Sequence, residues 1–320
     1  MQWLRIYKLI LGEVGKDGIV ITNLDSNGNY QADSLKIAFE IEKDTTKKCN
    51  KSRVQIWNLS DASLQKVEKD DLYVELWAGY YGENNLKKIY QGHSYKVTSK
   101  DDNDGKDIVT EIKCQDGYKA IRDSLLSISY PPGVSTQTVL NTIVSNMGMT
   151  LSAASDVTYP SYPGGYSFVG KCRDALTEVC GTIGAKWSIQ NGVVQVIMSG
   201  GSTNVQGMVF SATTGLIGHP EHINRSALNT CDDSTDDDAC VTRRKKRTEQ
   251  KKDRLQQKTG WKITTLVCPS VTPGDLVKID SVRVTGWFRV DSLRHMGNSR
   301  EGNWHTEMHC IDPGVKTTTS

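Results

Sequence analysis

A segment near the amino terminus, residues 35–43, alternates between apolar side chains and mostly charged ones. Because successive side chains of a β-strand point to opposite faces, this alternation predicts an antiparallel strand with one face against a core and the other in water. The side chains assigned to the buried face are Leu35, Ile37, Phe39 and Ile41, and those assigned to the wet face are Lys36, Glu40 and Glu42.

Strand patterns continue through the first 115 residues. A short helix is predicted after residue 60, where the side chain of Ser60 or Asp61 would accept a free backbone N–H. Many short strands with one small helix are typical of a β-barrel or β-sandwich. The segments with a strand pattern, besides 35–43, are 52–60, 72–80, 86–100 and 107–116.

The pattern changes after Asp116. A short helix is predicted close to residue 117. Apolar residues at helical spacing then predict a helix that is capped by Ser135 and stopped by Gly148, and a second helix covers 172–184. Residues 185–198 are predicted to form a hairpin whose turn is Asn191-Gly192, because both turn positions need a positive φ.

Strand patterns return after residue 203, and Thr272–Asp275 is predicted to be a turn because Pro273 and Gly274 suit its two central positions. The strand segments are 206–214, 260–268, 274–281, 285–295 and 303–312, with a hairpin loop at 296–303. The sequence therefore predicts a mainly β (α+β) chain. Two β-barrel domains, 1–115 and 203–320, would flank a small α+β domain at 116–202.

Residues 231–258 do not fit a barrel, because an acidic block is followed by a basic block with almost no apolar residues. We predict an exposed charged insertion. Its aspartates lack the spacing of a calcium loop, so a solvated segment is preferred. The basic run is a candidate partner-docking patch, with a solvated segment or nucleic-acid contact as alternatives. The patch consists of Arg243, Arg244, Lys245, Lys246 and Arg247.

Histidines offer two further candidate sites. His305, Glu307 and His309 lie on one face of a predicted strand, but they do not form the helical H-E-x-x-H motif of zinc proteases. His219 and His222 are interpreted as part of a loop. The net charge of +2 argues against a surface that binds polyanions throughout. Without a phosphate loop or a nucleophile motif, the sequence predicts a protein that is not an enzyme, with no catalytic residues, cofactor or metal.

Three stretches of the last domain, 213–221, 266–281 and 286–311, resemble the carboxy-terminal barrel of baseplate hub proteins of contractile-tailed phages. Residues 37–61 are similar to the start of the same family. The charged insertion is longer than the corresponding connection in that family.

The resemblance implies a homotrimeric structural virion protein. Each chain would give two similar barrels, so that three chains match a hexameric tail tube on one side and a trimeric central spike on the other. Its partners would be the tail tube and spike proteins, with tape-measure and baseplate wedge proteins as further candidates, and DNA would only pass through the channel. We expect no membrane span, assembly in the host cytoplasm, and strands that pair across subunits. The alternative is a tail-associated cell-wall hydrolase or carbohydrate-binding module.

Overall fold

A computed structural model describes residues 4–13, 18–68, 71–82, 86–102, 105–203, 206–223 and 260–312. The charged insertion lies outside these described residues, together with its aspartates and the basic patch 243–247. The interpretation of that segment therefore stays a prediction. Among the described residues, no helix is long and apolar enough to cross a membrane.

Among the described residues, the first segment of the chain contains seven strands and one helix. They are β1 (Arg5–Gly12), β2 (Ile19–Thr22), β3 (Ile37–Asp44), β4 (Lys51–Trp57), α1 (Asp61–Val67), β5 (Tyr73–Tyr80), β6 (Lys87–Asp101) and β7 (Ile108–Gln115). The alternating segment forms β3, with Ile37, Phe39 and Ile41 buried as predicted. Ser60 is the N-cap residue of α1 as predicted, but its side chain bonds to the hydroxyl of Ser63 and does not accept from the backbone.

The middle segment combines helices with short strands. They are α2 (Tyr118–Asp123), β8 (Leu125–Tyr130), β9 (Val134–Ser135), α3 (Thr136–Asn146), β10 (Thr150–Ala153), β11 (Ser161–Tyr162), β12 (Tyr166–Lys171), α4 (Cys172–Thr182), β13 (Ala185–Gln190) and β14 (Val193–Met198). The predicted cap of α3 is confirmed, since the Ser135 hydroxyl accepts from the Gln137 backbone N–H at 3.1 Å. The predicted hairpin turn is also confirmed: φ is 53° at Asn191 and 78° at Gly192.

The last segment returns to strands. They are β15 (Gln206–Phe210), β16 (Leu216–Ile223), β17 (Gly260–Leu266), β18 (Leu276–Asp280), β19 (Thr285–Asn298) and β20 (Trp304–Ile311). The turn before β18 is confirmed, since Gly274 has a φ of 98° and the Asp275 N–H donates to the Thr272 carbonyl. The loop interpretation of His219 and His222 is wrong. Both lie in β16, where a register shift after Ile217 accommodates a proline within the strand.

Within the described ranges, thirteen strands from the first and last segments share one sheet, which confirms the mainly β fold. Its order is β16-β17-β20-β19-β3-β4-β7-β6-β5-β1-β2, and β18 and β15 branch from β19. The link between the two ends of the chain is the antiparallel pairing of β19 with β3, from Ser292–Asp44 to Asn298–Ala38. The sequence predicted two sheet-rich segments but did not indicate that they pair directly with each other.

Buried apolar side chains form three clusters that follow the three segments. Val267 and Trp304 are the exceptions, because these residues of the last segment lie in the core of the first. The Trp304 ring packs edge-on against the ring of Phe39 at 5.2 Å. The joint between the end segments is therefore apolar as well as hydrogen-bonded. The exact domain limits remain a prediction.

Candidate assembly surfaces

The first and last segments connect their strands in the same order. The sheet path is β3-β4-β7-β6-β5-β1 in the first segment and β16-β17-β20-β19-β18-β15 in the last. In both, leaving β2 aside, the described strands follow the chain as one strand, then two strands that pair antiparallel, then three consecutive strands. Two differences stand out: the first segment adds β2 and α1, and β1 is antiparallel to β5 whereas β15 is parallel to β18. The last segment thus repeats the architecture of the first.

The repeat extends to single residues. The long strands β6 and β19 both shift register against their hairpin partner, one directly after Ser94 and the other directly after Val290. At these matching positions the backbone N–H of Ser94 donates to the Leu72 carbonyl at 2.8 Å, and that of Val290 donates to the Asp275 carbonyl at 2.9 Å. Ser94 therefore corresponds to Val290, and this match aligns the two segments throughout.

Under this alignment, a short sequence word is repeated. β7 contains Thr110-Glu111-Ile112-Lys113-Cys114, and β20 contains Thr306-Glu307-Met308-His309-Cys310. The two words share threonine, glutamate and cysteine at the same positions. This T-E-x-x-C repeat is the signal in the sequence that could have revealed the duplication.

The shared glutamates make the same ion pair with the neighbouring strand. The Arg53 guanidinium of β4 lies 2.6 Å from the Glu111 carboxylate, and the Lys262 ammonium of β17 lies 3.0 Å from that of Glu307. Both pairs are partly exposed, so each contributes about 1 kcal/mol or less. Their value lies in marking equivalent places in the two segments.

The shared threonines also repeat a contact. The Ser99 hydroxyl on β6 lies 3.1 Å from the Thr110 hydroxyl, and the Nδ1 atom of His295 on β19 lies 2.8 Å from the Thr306 hydroxyl. His295 is fully buried, and burial lowers the pKa of its imidazole to about 3. It is therefore neutral at physiological pH and acts as a hydrogen-bonding core residue.

The two long strands differ in what covers their second halves. β19 pairs with β18 up to Arg289, and then with β3 along the same edge. β6 pairs with β5 only up to His93. Along residues 95–101 no strand among the described residues pairs with this edge, which we call the β6 edge. The corresponding half of β19 alternates between buried and partly buried side chains, whereas most side chains of the β6 edge are exposed.

A second open edge lies at the other end of the sheet. β16 pairs with β17 on one side, and no described strand covers its other side, which we call the β16 edge. Exposed apolar side chains lie at both edges: Tyr95 (46% exposed) and Ile108 (50%) near the β6 edge, and Ile217 (43%) on the β16 edge. Since uncovered strand edges with apolar side chains pair readily with another chain, these edges are candidate assembly surfaces.

The middle segment is held against the first by a buried polar cluster, which we call the Asp116 junction. The Asp116 carboxylate accepts from the backbone N–H groups of Asn191 and Gly192, at 2.5 and 3.0 Å. The Lys43 ammonium donates to the Asn191 side-chain oxygen at 2.7 Å. These bonds orient the Asn191-Gly192 turn against the first segment.

Amides complete the junction. The Asn50 side chain donates to the Ile189 carbonyl at 2.6 Å, and the Gln190 side chain donates to the Asp44 carbonyl at 2.7 Å. The middle segment is thereby bonded to β3 and to the start of β4. The sequence indicates the hairpin turn but none of the contacts of this junction, because they join residues that are 75 to 148 positions apart.

Burial shifts the pKa of both charged groups in the junction. It raises the pKa of the Asp116 carboxyl to about 6, against the opposing effects of Lys43 and the two backbone N–H groups. It lowers the pKa of the Lys43 ammonium to about 8, although the nearby carboxylate opposes this. In both cases the charged form is disfavoured because it has left water.

The stability of the chain is therefore expected to depend on pH. Asp116 titrates at about 6 in the folded chain and at 3.8 in the unfolded chain, so the folded chain binds more protons between these values. The free energy of unfolding should fall as the pH rises through this window. Lys43 acts in the opposite direction: its folded pKa of about 8 is below 10.5, so stability should rise with pH between those values.

Urea unfolding across a pH series checks this, with Asp116→Asn as the reference because asparagine does not titrate. The advantage of the wild-type chain over Asp116→Asn should shrink between about pH 4 and about pH 6. A difference that stays constant or grows would contradict the assignment of this titration to Asp116.

Two histidines of β20 lie on the partly exposed face of the sheet. His305, Glu307 and His309 share the less buried face as predicted, with Glu307 bonded to Lys262. Burial lowers the pKa of His305, so its neutral form is favoured. No group of three potential metal ligands occurs within the described ranges.

Three solved structures are similar to this chain in fold. The tail protein from Neisseria meningitidis MC58 is 12% identical, with a TM-score of 0.60 over 97% of each chain. The 43 kDa tail protein of prophage MuSo2 from Shewanella oneidensis is 11% identical, with a TM-score of 0.58 over 96% of this chain and 97% of the other. An E. coli component of the type VI secretion system is 9% identical, with a TM-score of 0.54 over 86% of this chain and 73% of the other.

The E. coli protein is itself described as structurally similar to the T4 bacteriophage tail proteins gp27 and gp5. No protein-family model matches the chain, and no curated protein matches it. At these low identities the likeness establishes the fold. The chain has the fold of phage tail proteins, and the resemblance to baseplate hubs is confirmed at that level.

Proposed function

We propose that this chain is a structural protein of a phage tail baseplate, a homotrimeric hub that joins a hexameric tail tube to a trimeric central spike. The observation that carries the proposal is the repeated strand order of the two end segments. The fold shared with solved tail proteins supports it. The hub would line the channel through which DNA leaves the particle.

The repeat supports this role through symmetry. A chain with two equivalent barrels offers two equivalent docking surfaces, so three chains offer six. Such a ring can match a sixfold object with its barrels and a threefold object with features that occur once per chain. The tail tube protein and the spike protein are the proposed partners, and tape-measure and wedge proteins are further candidates. The proposed location is the tail of the virion.

We propose no enzymatic role. An open cleft of 580 Å³ lies between the first and middle segments, and two of its lining residues, Asp116 and Asp123, are carboxylic acids. The Asp116 carboxylate accepts hydrogen bonds from the backbone N–H groups of the hairpin turn. The Asp123 carboxylate forms an ion pair with Arg122 at 2.6 Å. Both carboxylates thus have structural partners, so the cleft gives no specific support to the alternative of a cell-wall hydrolase.

Sedimentation velocity of the purified chain tests the proposal. We expect a species of three times the 35.5 kDa mass of one chain, and electron micrographs that show a ring with six lobes. A chain that remains monomeric at every concentration, or that forms only dimers, would contradict the hub. A peptidoglycan-clearing assay is expected to show no activity, and clearing would favour the hydrolase.

A further inference from the structure

We propose that the β6 edge of one copy pairs, antiparallel, with the β16 edge of the next copy, and that Lys100 then lies opposite Glu221. The partner is a second copy of this same chain. The inference rests on the proposed trimer and adds to it the strands, the direction and the register of the interface.

The template for this pairing exists inside each chain. β19 corresponds to β6, and β3 corresponds to β16, because they occupy the same places in the repeated strand order. Within the chain, the second half of β19 pairs antiparallel with β3. The second half of β6 and the outer side of β16 are the equivalent edges, and no described strand covers either of them. A neighbouring copy that repeats the internal joint would cover both.

The register follows from the aligned residues. Within the chain, Met296 of β19 lies opposite Glu40 of β3. Met296 corresponds to Lys100, because Met296 is the sixth residue after Val290 and Lys100 is the sixth residue after Ser94.

The match on the other strand is between Glu40 and Glu221. Glu40 lies opposite Arg53 on β4, and Glu221 lies opposite Lys262 at the matching place on β17. Lys100 of one copy is therefore placed opposite Glu221 of the next.

The same register pairs two more positions. Ser99 would lie opposite His222, and Thr98 opposite Ile223. Lys100 and Glu221 are both exposed in the single chain and carry opposite charges, so the register places complementary charges face to face. The same register places Pro220 opposite Asp101, the last residue of the β6 edge, so its missing N–H falls at the end of the pairing and does not interrupt these three pairs.

Burial at the two equivalent joints supports the same partner. Trp304 is 5% exposed, because it packs against Phe39 across the internal joint. The residue of β7 that corresponds to Trp304 is Ile108, which is 50% exposed in the single chain. The apolar side chain at this position is therefore buried in β20, where β19 pairs with β3, and half exposed in β7, where no described strand pairs with the β6 edge.

The two edges are different surfaces, so the contact is head to tail. Each copy gives its β6 edge to one neighbour and its β16 edge to the other. A contact of this kind forms a closed ring or an open filament, depending on the rotation between copies. Closure would leave neither edge uncovered, which removes the tendency of open edges to aggregate.

Charge exchange tests the register. Lys100→Glu and Glu221→Lys are each expected to raise the concentration needed for half-assembly by about tenfold or more, because like charges then meet at every interface of the ring. The double variant, with both charges exchanged, is expected to recover assembly. Lys186→Glu, which makes the same charge change at an exposed position of β13, should assemble as the wild-type chain does.

Mass photometry over a dilution series, with circular dichroism to verify folding, gives the readout. A second variant, Ile108→Asp, should also weaken assembly while the chain stays folded. Single variants that assemble normally, or a double variant no better than the single ones, would overturn the pairing while the wild-type trimer stands. A wild-type chain that never associates would overturn both the pairing and the proposed function.

Discussion

Replacement of Asp116 by alanine is expected to lower the free energy of unfolding by about 3 kcal/mol at neutral pH. The substitution leaves the backbone N–H groups of Asn191 and Gly192 without their acceptor. It also removes the negative charge that supports the buried Lys43 ammonium. A buried cation without a compensating charge and two unpaired amides are among the most costly defects that a single substitution produces.

Urea unfolding of the whole chain measures this effect, and two variants serve as controls. Asp116→Asn keeps the size of the side chain and one oxygen acceptor, so it should cost less than alanine. Asp123→Ala removes an exposed carboxylate that is paired with Arg122, and should change stability little. An Asp116→Ala chain as stable as the Asp123→Ala chain would show that the Asp116 junction does not hold the middle segment.

Replacement of Gly297 by alanine is expected to destabilise the chain by about 3 kcal/mol. Gly297 of β19 lies opposite Phe39 of β3 in the internal joint. A methyl group at Gly297 would lie well inside van der Waals contact with the Phe39 ring. That ring is buried and packed against Trp304, so it cannot move aside without disturbing the core of the first segment.

Thermal unfolding of matched variants separates this clash from a general loss of glycine. Gly286→Ala lies on the same strand, where the new methyl group would meet its nearest atom, in the Phe288 ring, at 3.4 Å. It should be close to neutral. Phe39→Leu combined with Gly297→Ala should be less destabilised than the sum of the two single changes, because the smaller side chain makes room. Equal effects of the two glycine substitutions would disprove the clash.

Local patterns in the sequence were sufficient for many elements. The alternation around Phe39 identifies β3, and the Asn191-Gly192 pair identifies a hairpin turn, because each depends only on neighbouring residues. The failure at Ser60 has a local cause: its hydroxyl found a second hydroxyl in place of a backbone N–H. The loop prediction for His219 and His222 fails because the strand β16 accommodates Pro220 through a register shift that the local sequence does not indicate.

Neither the pairing of β19 with β3 nor the Asp116 junction could be predicted from local patterns. Met296 meets Glu40, and Asp116 meets Asn191, across long stretches of chain, so neither contact leaves a periodic trace in the sequence. The duplication did leave a trace, the T-E-x-x-C word of β7 and β20, but three shared residues are few in two strands of ordinary composition. Only the repeated strand order makes their significance plain.

In the proposed ring, neighbouring barrels meet at joints, which we call seams. Because β19 pairs with β3 within one chain, every second seam is intramolecular. That seam closes when the chain folds, at a strength that does not depend on how much protein is present, because its two sides are tethered to each other. Only the seams between copies respond to dilution. The ring would therefore come apart into whole chains, and never into single barrels, so that each released piece already carries half of the contacts needed to rebuild it.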